Sequence, residues 1–478
     1  MMNKAKLTIS NLYENNNKSW IILAFIFFLL GLSLLILSDT ANGNDWIFHK
    51  IFCVISTVII FKQFFKLFNK PKIVLLIDLR WILVISFWFY YVLGASLLVS
   101  GRQDLIDNAM RYYPVDLNLV LKVDAMNALG LSIILAIVSM YKVKWPSKII
   151  GAFSREIRFF DPMGHRSLIF LLLFCIYSLI YINLHRIGYV DKGILHGIAQ
   201  NFKFLGLSFA LIIFYYNGKY QKTIKILSFF YLVTYTFLGM LYTSKAEILA
   251  PITFLLFVYS IKKNSYKLAA ICFLFIFFML QVLGNYTSAI RSQDEKSSIQ
   301  LDLLKSNLNI SEEQNTYQIW NRINYVNSQG AAINFYDNGD GGKSLSKIFW
   351  LFVPRFLNKD KPDVSGFAGV FFKKIRDHGG SRDSPGIFVE GYYNYGWIGM
   401  ITSSVLAGLV IKFYSVMIAR IFLDRIYLLY FIIFSGLWTT FRIDGLIITD
   451  YLGLFVLLLY FIIFSAFFLS LIRVSLER

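Results

Sequence analysis

Long apolar runs recur along the whole chain and restrict what it can fold into. A helix needs about 20 mostly apolar residues to cross a bilayer. The sequence is 57% hydrophobic and only 16% charged, whereas soluble domains are about a quarter charged. These features predict an all-α polytopic membrane protein with about twelve transmembrane helices. We place the spans at residues 20–38, 46–62, 79–100, 124–141, 167–184, 202–216, 223–242, 246–262, 266–284, 396–416, 426–441 and 450–472.

Lysine and arginine are concentrated in alternate short loops. Loops on one side carry roughly four times as many of these residues as loops on the other, and cytoplasmic loops retain the excess. The rich set begins with the N-terminal lysines and includes the loop around 142–166, and its last members lie at the C-terminus. We therefore expect both termini to be cytoplasmic in a multi-pass protein of a bacterial inner membrane. The first run lacks a small-residue cleavage site, so we expect it to remain as a helix.

One loop is much longer and more polar than the others. Residues 285–395 lie between the ninth and tenth runs, on the side predicted to be extracytoplasmic. We expect helical stretches at 298–307 and 315–327 and turns at the glycine-rich segment 337–342. The chain is thus divided into nine spans (1–284), a large partly helical periplasmic loop (285–395) and three further spans (396–478).

Several functional classes are disfavoured by the sequence. The net charge is +19, but no basic block with a nucleic-acid-binding motif is present, so we expect no nucleic-acid partner. Cys53, Cys175 and Cys272 all lie in apolar runs without the spacing of metal ligands. No HExxH, Walker A or GxSxG sequence occurs. We therefore expect no metal and no nucleotide cofactor.

The large loop contains a basic cluster. Four aspartates oppose its members, and such a cluster suits an anionic head group because guanidinium and ammonium groups bind phosphate oxygens. A solvated, ion-paired loop surface is the alternative interpretation, and nearby aromatic residues are typical of an interfacial belt. The cluster consists of Lys343, Lys347, Arg355, Lys359, Lys361, Lys373, Lys374, Arg376 and Arg382.

Five further residues near the same side are candidates for chemistry. Lys245, Arg291 and Arg322 lie close to helix ends, where ionisable groups are often functional, although snorkelling to the interface is the alternative. Glu390 precedes the tenth run and is a candidate general base, or it complements the dipole of the following helix. His378 could act as a base or an acid, or it is a solvated loop histidine.

The order of motifs resembles the Wzy-type O-antigen or oligosaccharide repeat-unit polymerases. In that family a PR…KP stretch in the large periplasmic loop precedes PG…E-x-Y-x-N-F-G and the next helix. A Lys or Arg before a small residue at a helix start also matches, as does an Arg soon after the helix that precedes the large loop. Tyr395 replaces the phenylalanine of the family pattern. The matching residues are Pro354-Arg355, Lys361-Pro362, Pro385-Gly386, Glu390 to Gly396, Lys245-Ala246 and Arg291.

The resemblance implies a fold, a reaction and partners. The fold would be that of a GT-C-like membrane glycosyltransferase, and the partners would be the lipid bilayer and an undecaprenyl-pyrophosphate-linked oligosaccharide. A chain-length regulator and a flippase are the possible protein partners that the resemblance implies. The catalytic residues would be Glu390, Arg355 and His378. The substrate-binding residues would be Arg291, Arg322, Lys245, Lys359, Lys361, Arg382, Tyr393 and Asn394.

Three other interpretations stay open. An O-antigen ligase shares the donor and the general layout, but transfers finished polymer to lipid A-core. A flippase or transporter with about twelve helices is not an enzyme, and such proteins often carry inverted repeats, which we do not find in this sequence. A purely structural membrane scaffold is the third, and the basic cluster beside Glu390 argues against it.

Overall fold

The computed structural model describes nine longer stretches of the chain. They are residues 2–40, 46–68, 78–110, 113–140, 164–186, 221–241, 323–353, 384–424 and 430–456, with short pieces within 189–207, 247–259, 358–375 and 458–459. No strand occurs among these residues. The chain is therefore an all-α protein in the part that is described, as the sequence predicts.

The described part of the chain consists mainly of helices. We number them α1 to α12, and some of them are too short to span a membrane alone. The π-helix Trp88–Leu93 and the 3₁₀ helix Ala95–Val99 continue α3 and take no number of their own. They are α1 Met2–Thr40, α2 Ile47–Phe68, α3 Leu79–Phe87, α4 Gln103–Met110, α5 Leu117–Ser139, α6 Gly164–Arg186, α7 Gln221–Leu241, α8 Val326–Asp337, α9 Leu345–Phe352 (a 3₁₀ helix), α10 Gly386–Asp424, α11 Tyr430–Phe441 and α12 Ile447–Gly453 (a π-helix).

Several of these helices are long and apolar enough to cross a membrane. Within the described stretches there are six such segments, and two shorter apolar helices lie at Leu171–His185 and Ile447–Val456. All eight coincide with runs predicted from the sequence. The full number of about twelve spans stays a prediction. The run at 426–441 corresponds to α11, which is described from Tyr430, whereas the runs at 202–216, 246–262 and 266–284 lie partly or wholly outside the described residues. The six segments are Asn17–Thr40, Ile47–Phe65, Leu79–Val99, Leu117–Ser139, Lys222–Met240 and Gly386–Ile418.

The predicted start of the fourth span is wrong by about two helical turns. The fourth span was expected to begin at residue 124, but α5 begins at Leu117. Asp116 caps this helix, because its side chain accepts a hydrogen bond from the backbone N–H of Leu119 at 2.8 Å. Asp124 therefore lies two turns inside the helix and not at its end.

Asp124 is paired inside the helix bundle. Its Oδ2 lies 2.6 Å from Nδ1 of His49 in α2, and both side chains are fully buried. The other ring nitrogen of His49 lies 3.1 Å from the carbonyl oxygen of Ala95, at the end of the span that begins with α3. This contact joins three helices through one imidazole ring.

The chain divides into two compact units. The first contains residues 1–143, 319–419 and 435–456, and the second contains 144–318, 420–434 and 457–478. In the second unit, Lys203 and Glu247 form an ion pair at 2.7 Å, and Tyr231 donates a hydrogen bond to the carbonyl oxygen of Lys203 at 2.5 Å. The candidate-site residues that the structure describes all lie in the first unit.

Part of the large loop is packed into the first unit. In α8, residues Val326 to Ile333 are all buried. Asn127 of α5 and Gln329 of α8 exchange two amide hydrogen bonds, at 3.1 and 2.9 Å. Gly330 lies so close to Val115 that a Cβ atom would come within 2.7 Å of its side chain. The loop is thus built onto the membrane helices at this point.

Candidate functional site

The segment that carries Glu390 forms a helix of its own before the tenth span. Although α10 runs from Gly386 to Asp424, its helical geometry is interrupted at Tyr395 and Gly396. The sequence predicted a span from 396, and the longer helical segment does follow that break. The preceding residues, expected only as a motif before the helix, are also helical.

Glycines set the ends of this short helix and its contact with the span. Gly386 has φ +74° and Gly396 has φ +59°, conformations that L side chains rarely adopt. Within α10, Gly391 packs against the backbone of Gly399, and a Cβ atom on either glycine would collide with the other residue's carbonyl oxygen. The short helix therefore lies directly against the start of the span that follows it.

Glu390 is completely buried, and both of its carboxylate oxygens accept hydrogen bonds. Its relative exposure is 0%. Oε2 accepts a bond from the backbone N–H of Ile447 at 2.6 Å, and Oε1 accepts a bond from the hydroxyl of Ser344 at 3.3 Å. Ile447 is the first residue of α12, so the carboxylate satisfies an N–H group that has no partner within that helix.

Asn394 performs a similar function one turn later on the same helix face. Its Oδ1 accepts a bond from the backbone N–H of Leu345 at 3.1 Å, and its Nδ2 donates to the hydroxyl of Ser344 at 2.9 Å. Leu345 is the first residue of α9. Residues four apart lie on one side of a helix, so Glu390 and Asn394 together hold the N-termini of α9 and α12.

Tyr393 and Lys361 are held by neighbouring parts of the loop. The backbone carbonyl of Tyr393 accepts a bond from Gly342 N–H at 2.8 Å, and its ring packs edge-on against Phe371 at 5.4 Å between centroids. The ammonium group of Lys374 lies 3.5 Å from the Tyr393 hydroxyl. Lys361 donates to the carbonyl of Val353 at 2.9 Å.

A charged cluster that the sequence analysis did not single out lies in the turn between α11 and α12. Arg442 is bonded to Asp444 at 3.2 Å and lies 3.6 Å from Asp450. Tyr325 donates a hydrogen bond to Asp444 at 2.8 Å. The backbone of this turn also joins the short helix, since Ile387 N–H donates to the Ile443 carbonyl at 3.3 Å.

The electrostatics of this cluster follow from burial and pairing. Burial raises the pKa of the Asp444 carboxyl above its ordinary value, while Arg442 and the Tyr325 hydroxyl oppose that rise. Asp444 in turn raises the pKa of the Arg442 guanidinium. The signal in the sequence was three charged residues, Arg442, Asp444 and Asp450, within an otherwise apolar stretch, a pattern typical of functional or structural polar centres in membranes.

The structure describes four of the residues predicted for the site. Glu390 and Asn394 are brought together with Ser344, which the sequence analysis did not select, and Tyr393 lies beside them in the same helix. Lys361 is held by the backbone of the loop. The remaining predicted residues lie outside the described part of the chain: Arg355, His378, Arg291, Arg322, Lys245, Lys359 and Arg382.

Comparison with known proteins does not identify a family for this chain. No family model, no curated protein and no solved structure matches the chain.

Proposed function

We propose that this protein is a bacterial inner-membrane glycosyltransferase that polymerises lipid-linked O-antigen or oligosaccharide repeat units. The growing glycan would be transferred from undecaprenyl pyrophosphate to the non-reducing end of a new lipid-linked unit. In this proposal the large loop faces the periplasm and both termini are cytoplasmic. The supporting observation is that Gly386, Glu390, Asn394 and Gly396, the spaced residues of the family-like motif, build one buried unit.

That unit connects the loop to the membrane helices. Glu390 binds the start of α12, Asn394 binds the start of α9 in the loop, and Gly391 packs against Gly399 in the following span. An enzyme acting on a lipid-linked donor must hold its soluble loop at the membrane surface, where the pyrophosphate lies. The arrangement is suited to that requirement.

The proposed chemistry breaks the bond between the anomeric carbon and the pyrophosphate. An acceptor hydroxyl attacks the anomeric carbon with inversion, its proton passes to a base, and undecaprenyl pyrophosphate departs with both electrons of the broken bond. Cationic side chains would stabilise the developing negative charge without a metal. For this role we propose Arg355, Lys359, Lys361, Arg382, Arg291, Arg322 and Lys245.

The surroundings of Glu390 bear on which residue acts as the base. Glu390 was predicted as the base, but its buried carboxylate already accepts two hydrogen bonds. This geometry favours a positioning role for Glu390, which would hold α9 and α12 beside the substrate. His378 would then take the proton of the acceptor hydroxyl. Tyr393 would orient the glycan from its place beside the loop.

Complementation of a deletion strain tests the function. Without the gene, lipopolysaccharide should carry a single repeat unit, and the wild-type gene should restore a ladder of long chains. Arg355→Ala should insert normally and give no long chains, whereas Arg102→Ala, which removes an exposed charge, should restore the ladder. Long chains of normal length from Arg355→Ala would reject the role of Arg355.

The same strain separates the rival functions. Loss of a ligase would leave no lipopolysaccharide capped with even one repeat unit. A flippase would not lengthen lipid-linked repeat units when purified in detergent, because only an enzyme joins units without a second compartment. A structural scaffold would likewise show no elongation in that assay. Each of these results would contradict the proposal.

A further inference from the structure

The short helix α9 has an apolar residue pattern on both its inner and its outer face. A 3₁₀ helix has three residues per turn, so side chains three apart lie above one another. Leu345, Ile348 and Leu351 form one row, in which Leu345 is 7% exposed and the other two are half-buried. Phe349 and Phe352 belong to another row, where they are 79% and 48% exposed. One apolar row of this helix is therefore turned towards the protein, and the other is exposed.

Helix α9 lies beside the point where the spanning part of α10 begins. Its first residue, Leu345, is bonded to Asn394, immediately before the break that begins the spanning part of α10. The helix also packs against α12, the start of an apolar segment. On the first turn after the break, Ile398 is 76% exposed, as expected for a side chain that faces lipid.

Lysines flank the exposed phenyl groups. Lys343 precedes α9 and Lys347 lies within it, and both are exposed. Lysine side chains at a membrane boundary extend their ammonium groups towards phosphates while their aliphatic stems remain near the acyl region. Large exposed aromatic residues beside lysines are the combination found on helices that lie in the interface plane.

We infer that α9 lies on the bilayer surface, with Phe349 and Phe352 inserted at the boundary between lipid head groups and acyl chains. The bound partner is the lipid surface itself. This contact would fix the large loop against the membrane beside the first turn of the span that follows Gly396. The inference needs only that α10 spans the bilayer, and it does not rest on the proposed enzymatic function.

Depth measurement by spin labelling tests the inference. In full-length protein whose three cysteines are replaced by alanine, Phe349→Cys and, separately, Phe352→Cys would carry a nitroxide. The protein is reconstituted into nanodiscs of phosphatidylethanolamine and phosphatidylglycerol. Collision with oxygen, which partitions into lipid, is compared with collision with a water-soluble nickel chelate. Leu409→Cys serves as the lipid control and Gln103→Cys as the aqueous control.

We expect labels at both phenylalanine positions to collide preferentially with oxygen, as at Leu409, and to be shallower than that control. Phe349 is 79% exposed, so its substitution removes no core group, and Phe352 gives a second reading one turn later on the same row. Preferential collision with the nickel chelate, as at Gln103, would overturn the inference. Protection from both reagents would also overturn it, since another part of the protein would then cover this face.

Discussion

Substitution of Glu390 tests whether this carboxylate positions the site or abstracts a proton. In Glu390→Gln, the amide oxygen can still accept from Ile447 N–H and the amide nitrogen can donate to the Ser344 hydroxyl. Both contacts are therefore retained. The Ile447 N–H still donates, and only at Ser344 do the donor and the acceptor exchange roles. We expect a loss of at most roughly 1 kcal/mol in stability, the net worth of one typical hydrogen bond.

Glu390→Ala removes both contacts and leaves a cavity. An unsatisfied buried N–H group costs about 1–3 kcal/mol, and the lost γ-methylene group adds about 0.8 kcal/mol of burial. The alanine variant should therefore be less stable by roughly 2–4 kcal/mol. At about 2–4 °C per kcal/mol, its thermal midpoint should fall by on the order of 10 °C.

Two measurements on the same variants decide between the roles. Thermal unfolding in detergent, followed by fluorescence-detected size exclusion, measures the midpoint, and the glycan ladder of the complemented deletion strain measures polymerisation. We expect Glu390→Gln to retain long chains and Glu390→Ala to lose both stability and chains. A glutamine variant of wild-type stability without polymer would refute the positioning role and restore Glu390 as the base. An alanine variant of wild-type stability would refute the hydrogen-bond argument.

Three other predictions concern the helices that support this site, each checked by thermal unfolding. Asp124→Ala should destabilise the protein by about 3–5 kcal/mol, because it removes one partner of a fully buried pair and leaves His49 without its carboxylate; an unchanged midpoint would contradict that pairing. Gly396→Ala should cost about 1–3 kcal/mol, since the backbone there has φ +59° and ψ −144°, a conformation essentially restricted to glycine, and a neutral effect would rule out the strain. Gln329→Leu should cost about 1–3 kcal/mol, because it leaves the Asn127 amide unpaired. Adding Asn127→Leu should recover part of that loss. If the effects of the two substitutions simply add, the two side chains are not coupled.

The sequence predicts the spanning helices well because burial in lipid requires a feature that is local in the chain. Each candidate span overlaps a largely apolar run of the sequence, and no partner segment has to be known to find it. The start of α5 was placed too late because Asp116, Lys122 and Asp124 interrupt the apolar pattern. Those side chains are accommodated by a cap, by Asp337 and by His49, respectively.

Helix α8 was not predicted as a buried element because its buried face is partly polar. Its buried residues include Asn327, Ser328 and Gln329, which read as a polar loop segment. Their burial is stabilised by partners distant in the chain, such as Asn127, 202 residues away from Gln329. A pattern of hydrophobicity contains no information about such pairs.

The candidate site shows the same limit. The spacing of Glu390 and Asn394 is visible in the sequence and predicts a shared helix face. Ser344 was missed because its contact with Glu390 joins residues 46 positions apart, and the function of Glu390 as a helix cap depends on Ile447, 57 positions away. The sequence shows that residue 390 is a carboxylate. What this carboxylate does depends on which residues the fold places beside it.

The burial of α8 has a practical consequence for work on the large loop. An excised fragment covering 285–395 would expose Gln329 and the small residues around it to water, having lost the α5 surface on which they lie. The same fragment would lack Ile447, so the carboxylate of Glu390 would lose one of its two donors. The loop is therefore not a detachable soluble domain, and ligand-binding experiments with it require the intact protein in detergent or lipid.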